Sequence, residues 1–129
     1  MTAAVETVEG VLLVDVETET VLGAGTELPD AERPVVELPR VVAADAAGST
    51  VVAVIDRRPP LAISHDGGRT WRETGGGLPT GYAVAVYEDD PDRILFAARN
   101  RLYLSTDGGT FWRPLEPELP DITALAWLD

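Results

Sequence analysis

An all-β fold of three tandem repeat units is what the sequence predicts, and three observations predict it. The first is a repeat. The octet SHDGGRTW, Ser64 to Trp71, returns as STDGGTFW, Ser105 to Trp112. Arginine follows each tryptophan (Arg72, Arg113), and Leu-Pro stands a short way past each one, at Leu78-Pro79 and Leu119-Pro120. A third Leu-Pro, Leu38-Pro39, stands one such interval before Leu78-Pro79. The second observation is a series of short apolar runs bounded by turn chemistry, of which Asp-Gly is a strong hairpin signal because glycine accepts positive φ. The third is the spread of 12 Gly and 10 Pro along the chain, which leaves little room for helices. Four short strands per unit of about 40 residues is the pattern of a β-propeller blade.

The elements follow in order. Unit one, residues 1–40, is degenerate. Ala3–Val8 stands where an innermost strand is expected but is polar and weak. Val11–Val14 precedes the run Val51–Ile55 by the repeat interval, which places the two at one strand position. The octet position of unit one then holds AGTELPDA, Ala24 to Ala31, with neither the Asp nor the Trp. Unit two spans 41–80. Unit three spans 81–121 and reads as Tyr82–Tyr87, the acidic turn EDDPD (Glu88 to Asp92), Ile94–Ala98, Leu102–Ser105, the Asp-Gly-Gly turn, and a strand starting at Trp112. Residues Asp92 to Asp107 carry no Gly or Pro and compete as a helix. Unit two breaks the same stretch with Pro59-Pro60, which favours strands in both. After unit three the chain adds ITALAWLD, Ile122 to Asp129, which aligns with the innermost strands, Trp127 falling where Tyr87 does. It is an extra strand without a place in its own unit.

Both octets resemble the Asp-box, or bacterial neuraminidase repeat, SxDxGxTW. Ser64, Asp66, Gly68, Thr70 and Trp71 match in full. Ser105, Asp107, Gly109 and Trp112 match with Phe111 in place of Thr. The text DDPDRILFAA followed by RLYLSTDGGTFW is similar to blades of sialidase-like, xyloglucanase-like and sortilin-like propellers. The resemblance covers units two and three, and unit one only through spacing. It implies a structural role for the box: a hairpin between the third and fourth strands, whose Asp ties the turn to backbone N–H groups and whose Trp packs between blades. It also implies that this hairpin lies opposite the ligand-binding face. Sialidases of this fold use an arginine triad, a Tyr–Glu pair and an acid–base Asp. Their N-terminal arginine motif has no counterpart here, and DRRP at Asp56–Pro59 sits mid-chain. No catalytic residue is carried over.

Composition excludes several classes. Twenty-two acidic residues against ten basic ones give a formal charge of −12, so neither nucleic acid nor an anionic membrane is an expected partner. About 45% of the residues are apolar, enough for a core without a metal or disulfide staple. No run approaches the ~18 apolar residues of a membrane span, and MTAAVETVEG lacks the basic and apolar regions of a secretion signal. The cytoplasm is the expected location. Without cysteine, and with His65 the only histidine, no zinc site is expected. EDDPD lacks the spacing of a calcium loop. No glycine loop cradles a phosphate ahead of a helix. No metal and no cofactor are expected.

All ten basic residues are arginines. Five fall in loops that the resemblance to propeller blades implies open toward one face: Arg57 and Arg58 with Asp56, Arg99 and Arg101 with Asn100, and Arg40, the last in a loop entering an innermost strand as Tyr82 and Asp121 also do. Arg40, Arg57, Arg58, Tyr82, Arg99 and Arg101 are therefore the candidate binding residues for an anionic small molecule or an acidic protein segment. The competing reading pairs these arginines with Asp56, Asp121 and neighbouring carboxylates.

Three units fall short of the four to eight blades that close a propeller. The expected solution is a homodimer forming a six-bladed ring, in which Ile122–Asp129 completes unit one of a second copy. A binding or scaffold module without enzymatic activity is the expected function. The alternative is a minimal sialidase-like glycoside hydrolase with a site shared across the dimer, which requires two carboxylates about 5–10 Å apart in a pocket.

Overall fold

The computed structural model describes residues 1–29 and 33–128. Among them there are twelve strands and no helix: β1 (Thr2–Thr7), β2 (Gly10–Asp15), β3 (Thr20–Ala24), β4 (Val41–Ala47), β5 (Thr50–Ile55), β6 (Leu61–Ser64), β7 (Arg72–Thr74), β8 (Ala83–Val86), β9 (Ile94–Ala97), β10 (Arg101–Ser105), β11 (Arg113–Glu118) and β12 (Ile122–Trp127). They form three four-stranded antiparallel sheets. Sheet one runs β12-β1-β2-β3, sheet two β4-β5-β6-β7, and sheet three β8-β9-β10-β11. The stretch that competed as a helix forms β9 and β10, because its alternate side chains enter two different cores.

Strand alternation explains the packing. On sheet three, Val84, Val86, Ile94 and Phe96 point one way, into a core shared with Val52, Val54, Leu61 and Ile63 of sheet two. Their neighbours Ala83, Ala85, Leu95, Ala97, Leu102 and Leu104 point the other way, against Ala3, Val5 and Val14 of sheet one. Sheet three is therefore buried on both faces, which is why β8 and β9 read as continuous apolar runs. The innermost strands follow the same order, β4 packing on β8 and β8 on β12. Sheets one and two make no comparable contact among the described residues.

Two side chains tie these innermost strands together. Asp45 on β4 accepts the Val86 N–H through Oδ2 at 2.8 Å. Trp127 on β12 donates its indole N–H to the Ala85 carbonyl at 3.0 Å and stacks at a tilt on Tyr87, centroids 5.2 Å apart. Farther out, two of the three hairpins that join a third to a fourth strand dock on the outermost strand of the neighbouring sheet. The sheet-three hairpin presents its Gly108 carbonyl to Arg72 of β7 at 3.1 Å and its Gly109 carbonyl to the Thr74 hydroxyl. In turn, Glu19 of the sheet-one hairpin receives the Arg113 guanidinium at 2.8 Å and the Glu116 N–H at 2.9 Å, both from β11.

Unit one departs from the expected layout in three ways. Ala3–Val8 is not innermost: β1 is the second strand of its sheet, and Ala3, Ala4 and Val5 are buried. The polar look of the segment comes from Glu6 and the flanking threonines, whereas its buried positions are small enough to lie between β12 and β2. Val11–Val14 belongs to β2, the third strand, whereas Val51–Ile55 is the second strand of sheet two, so the repeat interval joined strands one position apart. Consequently the hairpin in the Asp-box position is Asp15–Thr20 rather than Ala24–Ala31, and residues 30 and 31 of that octet lie outside the described residues. Asp15 makes its own Asx turn, accepting the N–H groups of Glu17 and Thr18 at 3.0 Å each.

The strand missing from unit one is supplied by the C-terminus. β12 pairs with β1 of the same chain, with Ala3 opposite Trp127, Ala4 opposite Ala126 and Val5 opposite Leu125. Asp129, the last residue of the expected strand, lies outside the described residues.

Gly81 offers a test of how tightly sheets two and three are packed. It is buried, and a Cβ there overlaps the Phe96 ring edge. Gly81→Ala is expected to destabilise by about 1–3 kcal/mol through overpacking. Denaturant titration of G81A, F96L and the double variant checks this. A double variant less destabilised than the sum of the singles is expected, because both act on one volume.

Candidate functional site

The two octets that resemble the Asp-box, called boxes below, form matching hairpins. In the first, Ser64 Oγ accepts the Gly68 N–H at 2.8 Å and donates to Asp66 Oδ1 at 2.7 Å. Asp66 then accepts the N–H groups of Arg69 and Thr70 at 3.1 and 2.9 Å, and the Thr70 hydroxyl at 2.6 Å. The Trp71 indole closes the turn on the Gly68 carbonyl at 3.0 Å. The second box repeats the pattern: Ser105 Oγ with Gly109 N–H and Asp107, Asp107 with the N–H groups of Thr110 and Phe111, and Trp112 with the Gly109 carbonyl. Phe111 takes the Thr70 position, so this turn lacks the hydroxyl bond, and its ring stands exposed.

These donors hold both carboxyls below the ordinary carboxylate range, Asp66 by the hydroxyl and N–H of Thr70 above all, and Asp107 chiefly by the Phe111 N–H. Both boxes are also tied to the turns beside them, Gly67 N–H to the Ser49 carbonyl and Gly108 N–H to the Asp92 carbonyl. His65 sits on the first box and meets Thr50 Oγ1 through Nδ1 at 3.3 Å. Every polar atom of the Asp-Gly-Gly turns that the pattern needs is thus committed within the hairpin or to its neighbour.

At the other end of the sheets, the loops carrying the candidate arginines are fixed by backbone bonds. The Asp56 N–H meets the Arg40 carbonyl, which brings Arg40, Arg57 and Arg58 to one corner of sheet two. Arg40 holds a positive φ of 62°, set by the sharp turn into β4. In sheet three, Ile122 N–H meets the Arg99 carbonyl and Leu119 N–H the Asn100 carbonyl, which fastens the arginine loop to the entry of β12. Arg99, Arg101 and Tyr82 line one cleft of about 280 Å³ with Asn100 and Tyr103. Arg40, Arg57 and Arg58 do not reach it.

Three of the five arginines have acidic partners. Arg57 meets Glu73 at 3.1 Å, Arg99 meets Asp121 at 3.2 Å, and Arg101 meets Glu118 at 3.4 Å. All three pairs are at least partly solvent-exposed, and Arg99 is 76% exposed. Pairs of this kind contribute about 0–1 kcal/mol, so they neutralise charge more than they hold the fold.

A second, larger cavity of about 660 Å³ lies among the innermost strands β4, β8 and β12. Its polar lining includes Asp45, Glu88, Asp89 and Arg33, and its aromatic wall is Tyr82, Tyr87 and Trp127. Burial pushes the Asp45 carboxyl up, against the opposing bonds from the N–H groups of Val86 and Ala46. Sequence reasoning passed over Asp45. The available signal was a lone acid within the alanine-rich run VVAADAA, on a strand otherwise apolar. Among the described residues, no three His, Cys, Asp or Glu side chains are grouped to hold a metal ion, and no helix is long and apolar enough to cross a membrane.

No family model matches the chain, and no curated protein or solved structure matches it.

The carboxyls make opposite contributions to acid stability. Asp66 titrates below its ordinary value of 3.8 when folded, so its stabilisation is complete above that value and is lost as pH falls beneath it. Asp45 titrates above 3.8 when folded, so its charged form costs stability near neutrality and the cost disappears on acidification. Asp66→Asn is expected to lower Tm at pH 7, with the gap from wild type closing below pH 3.8. Asp45→Asn, which keeps an acceptor for the Val86 N–H, is expected to raise Tm at pH 7, with its gap also closing as pH falls. Thermal melts of the two variants from pH 7 to pH 3 check both signs.

Proposed function

We propose that the chain is a non-enzymatic Asp-box propeller module, half of a six-bladed ring formed by two copies, which presents its arginine-bearing end to an anionic ligand. The observation that carries the ligand reading is the cleft of Tyr82, Arg99 and Arg101. Among the described residues, its two guanidiniums pair with exposed carboxylates from the same end of the sheet, Asp121 and Glu118. An incoming carboxylate or phosphate, or an acidic protein segment, replaces those partners with little loss, because the pairs it displaces are weak. Tyr82, 51% exposed, offers a ring face and a hydroxyl beside them.

The ring reading rests on the direction of the sheet-to-sheet docking. The sheet-three hairpin docks on β7 and the sheet-one hairpin on β11. Extended one step each way, the series leaves the Ser64–Trp71 hairpin without an outer strand to dock on, and β3 without a hairpin. Val21 and Leu22 of β3 are exposed, as is Val42 near the other end of the arc. A second copy satisfies both ends at once and closes with two-fold symmetry. The cytoplasm is the proposed location, and neither nucleic acid nor membrane is a proposed partner of a surface of net charge −12.

A glycoside hydrolase is the second reading, favoured by one observation: Asp45, its carboxyl raised by burial, shares the larger cavity with Glu88. The binding reading is preferred because Asp45 is already engaged as the link between β4 and β8.

The test uses citrate and an octaglutamate peptide as probes in isothermal titration calorimetry. Binding is expected for wild type and is expected to fall at least tenfold for the Arg99→Ala, Arg101→Ala double variant, with Tm shifted by only a few degrees. A large loss of Tm with no binding by wild type overturns the ligand reading. Turnover of a fluorogenic glycoside by wild type, abolished in Asp45→Asn, establishes the second reading in its place.

A further inference from the structure

The free ends of the arc are joined by an unusual connection. Residues 75–82 link sheet two to sheet three, and residues 119–121 lead from β11 into β12. By contrast, residues 25–40 run from β3, the outer edge of sheet one, to β4, the inner strand of sheet two, at the far end of the arc. That connection touches both free faces. At its start Gly25 lies against Leu13 and Val11, on the face of β2 turned away from sheet three. At its end Val36 and Leu38 pack with Trp71 over Ala53, Ile55 and Ala62, on the face of sheet two turned away from sheet three. In between, Pro29 and Arg33 line the large cavity among the innermost strands.

We infer that in the two-copy assembly the arm Thr2–Ala24 is exchanged: β1 of each chain pairs with β12 of the other copy. The inference rests on the half-ring reading above and names how its partner is engaged. In the ring, sheet one of one copy stands next to sheet two of the other. If each arm stayed with its own chain, two connections would have to cross the central channel, both at the place where Pro29 and Arg33 now lie. With the arms exchanged, each connection passes from one sheet to the sheet beside it. It then lies between the two faces it already touches, and Val35, which is 92% exposed, faces the neighbouring sheet instead of water.

Nothing else has to change. The arm is attached to the rest of the structure through the β1–β12 ladder, the core shared with sheet three, and the Glu19 contacts to β11. All of these are reproduced by an identical partner, which is why exchange of an element costs little. β12 stays with its own chain through the Trp127–Ala85 bond and the Tyr87–Trp127 stacking. Eight residues suffice to join sheet two to sheet three, so the sixteen of the arm connection exceed what a step between adjacent sheets requires.

The chain contains no cysteine, which allows a direct test. Ala4 and Ala126 lie directly opposite each other on β1 and β12, at the Cα separation of paired strands that a disulfide can bridge. The double variant Ala4→Cys, Ala126→Cys is oxidised and run under denaturing, non-reducing conditions. A covalent species of twice the 13.8 kDa chain is expected. Light scattering on wild type, which does not depend on the variant folding, is expected to give the same doubled mass.

A doubled mass with only intrachain disulfides overturns the exchange while leaving the half-ring intact. A wild-type mass of one chain overturns both. A second variant deletes residues 27–32, which leaves ten residues in the connection, enough for an adjacent step. It is expected to remain a dimer with a Tm close to wild type. Its failure to fold overturns the exchange, since only an arm kept within its own chain needs the full length.

Discussion

The ladder between β12 and β1 joins the two ends of the sequence, and the arc of sheets depends on it. Without β12, sheet one has three strands and no innermost one. Ala85 would then lose its indole partner, and the face of sheet three formed by Ala83, Leu95 and Leu104 would lose part of its cover. Without β1, the Ile122–Trp127 segment has no neighbour in its own sheet, and its backbone groups face water along one whole edge. The ladder is also long in sequence separation. It forms only after both ends of the chain are in place, so it couples the folding of unit one to that of unit three.

The three sheets hold together by two kinds of contact with different reach. Large apolar areas, interleaved by strand alternation, fill the spaces on both sides of sheet three and supply most of the stabilisation. Single polar bonds then fix how the sheets sit against one another: Asp45 to Val86 and Trp127 to Ala85 near the centre, Arg72 to Gly108 and Arg113 to Glu19 at the rim. The glycines of the second Asp-box serve the same purpose. Gly109 has φ of 91° and no side chain, so Ile63 of the neighbouring sheet closes directly onto the turn. Gly68 has the same backbone conformation, but only its own Trp71 lies near it. The same motif is filled at one junction and open at the next, and this asymmetry marks which face of the arc lacks a neighbour.

Much of this was legible in the sequence, and the reasons differ from place to place. The Asp-box hairpins could be read because their chemistry is local: a serine, an aspartate and two glycines within one short octet satisfy one another whatever surrounds them. β9 and β10 could be read because Pro59-Pro60 in the parallel unit ruled out a helix. Unit one misled because its apolar run Val11–Val14 carries no marker of strand position. The same interval fits a second strand as well as a third when the turns have different lengths. The Asp15 turn is shorter than an Asp-box and has no tryptophan, so nothing in its text announces the same hairpin. The arginine loops were legible as loops, but not their partners: whether Arg99 meets Asp121 is decided by the Ile122–Arg99 backbone bond, which depends on β12 returning.

Asp45 brings fold and site together. An ionised carboxylate among the innermost strands is costly, and burial raises its pKa accordingly. The corresponding position on β8, by the ladders that run to Ser64 and Ser105, is Ala85. An alanine avoids that cost, so the charge at Asp45 is not a requirement of strand packing as such. What it adds is a fixed acceptor for Val86 N–H, on a strand whose inner edge has no neighbouring strand of its own. The half-buried acid is thus one of the polar bonds that fix how sheet two sits against sheet three, beside Arg72 with Gly108 and Thr74 with Gly109, and it does so from the lining of the cavity that Tyr82 and Trp127 share.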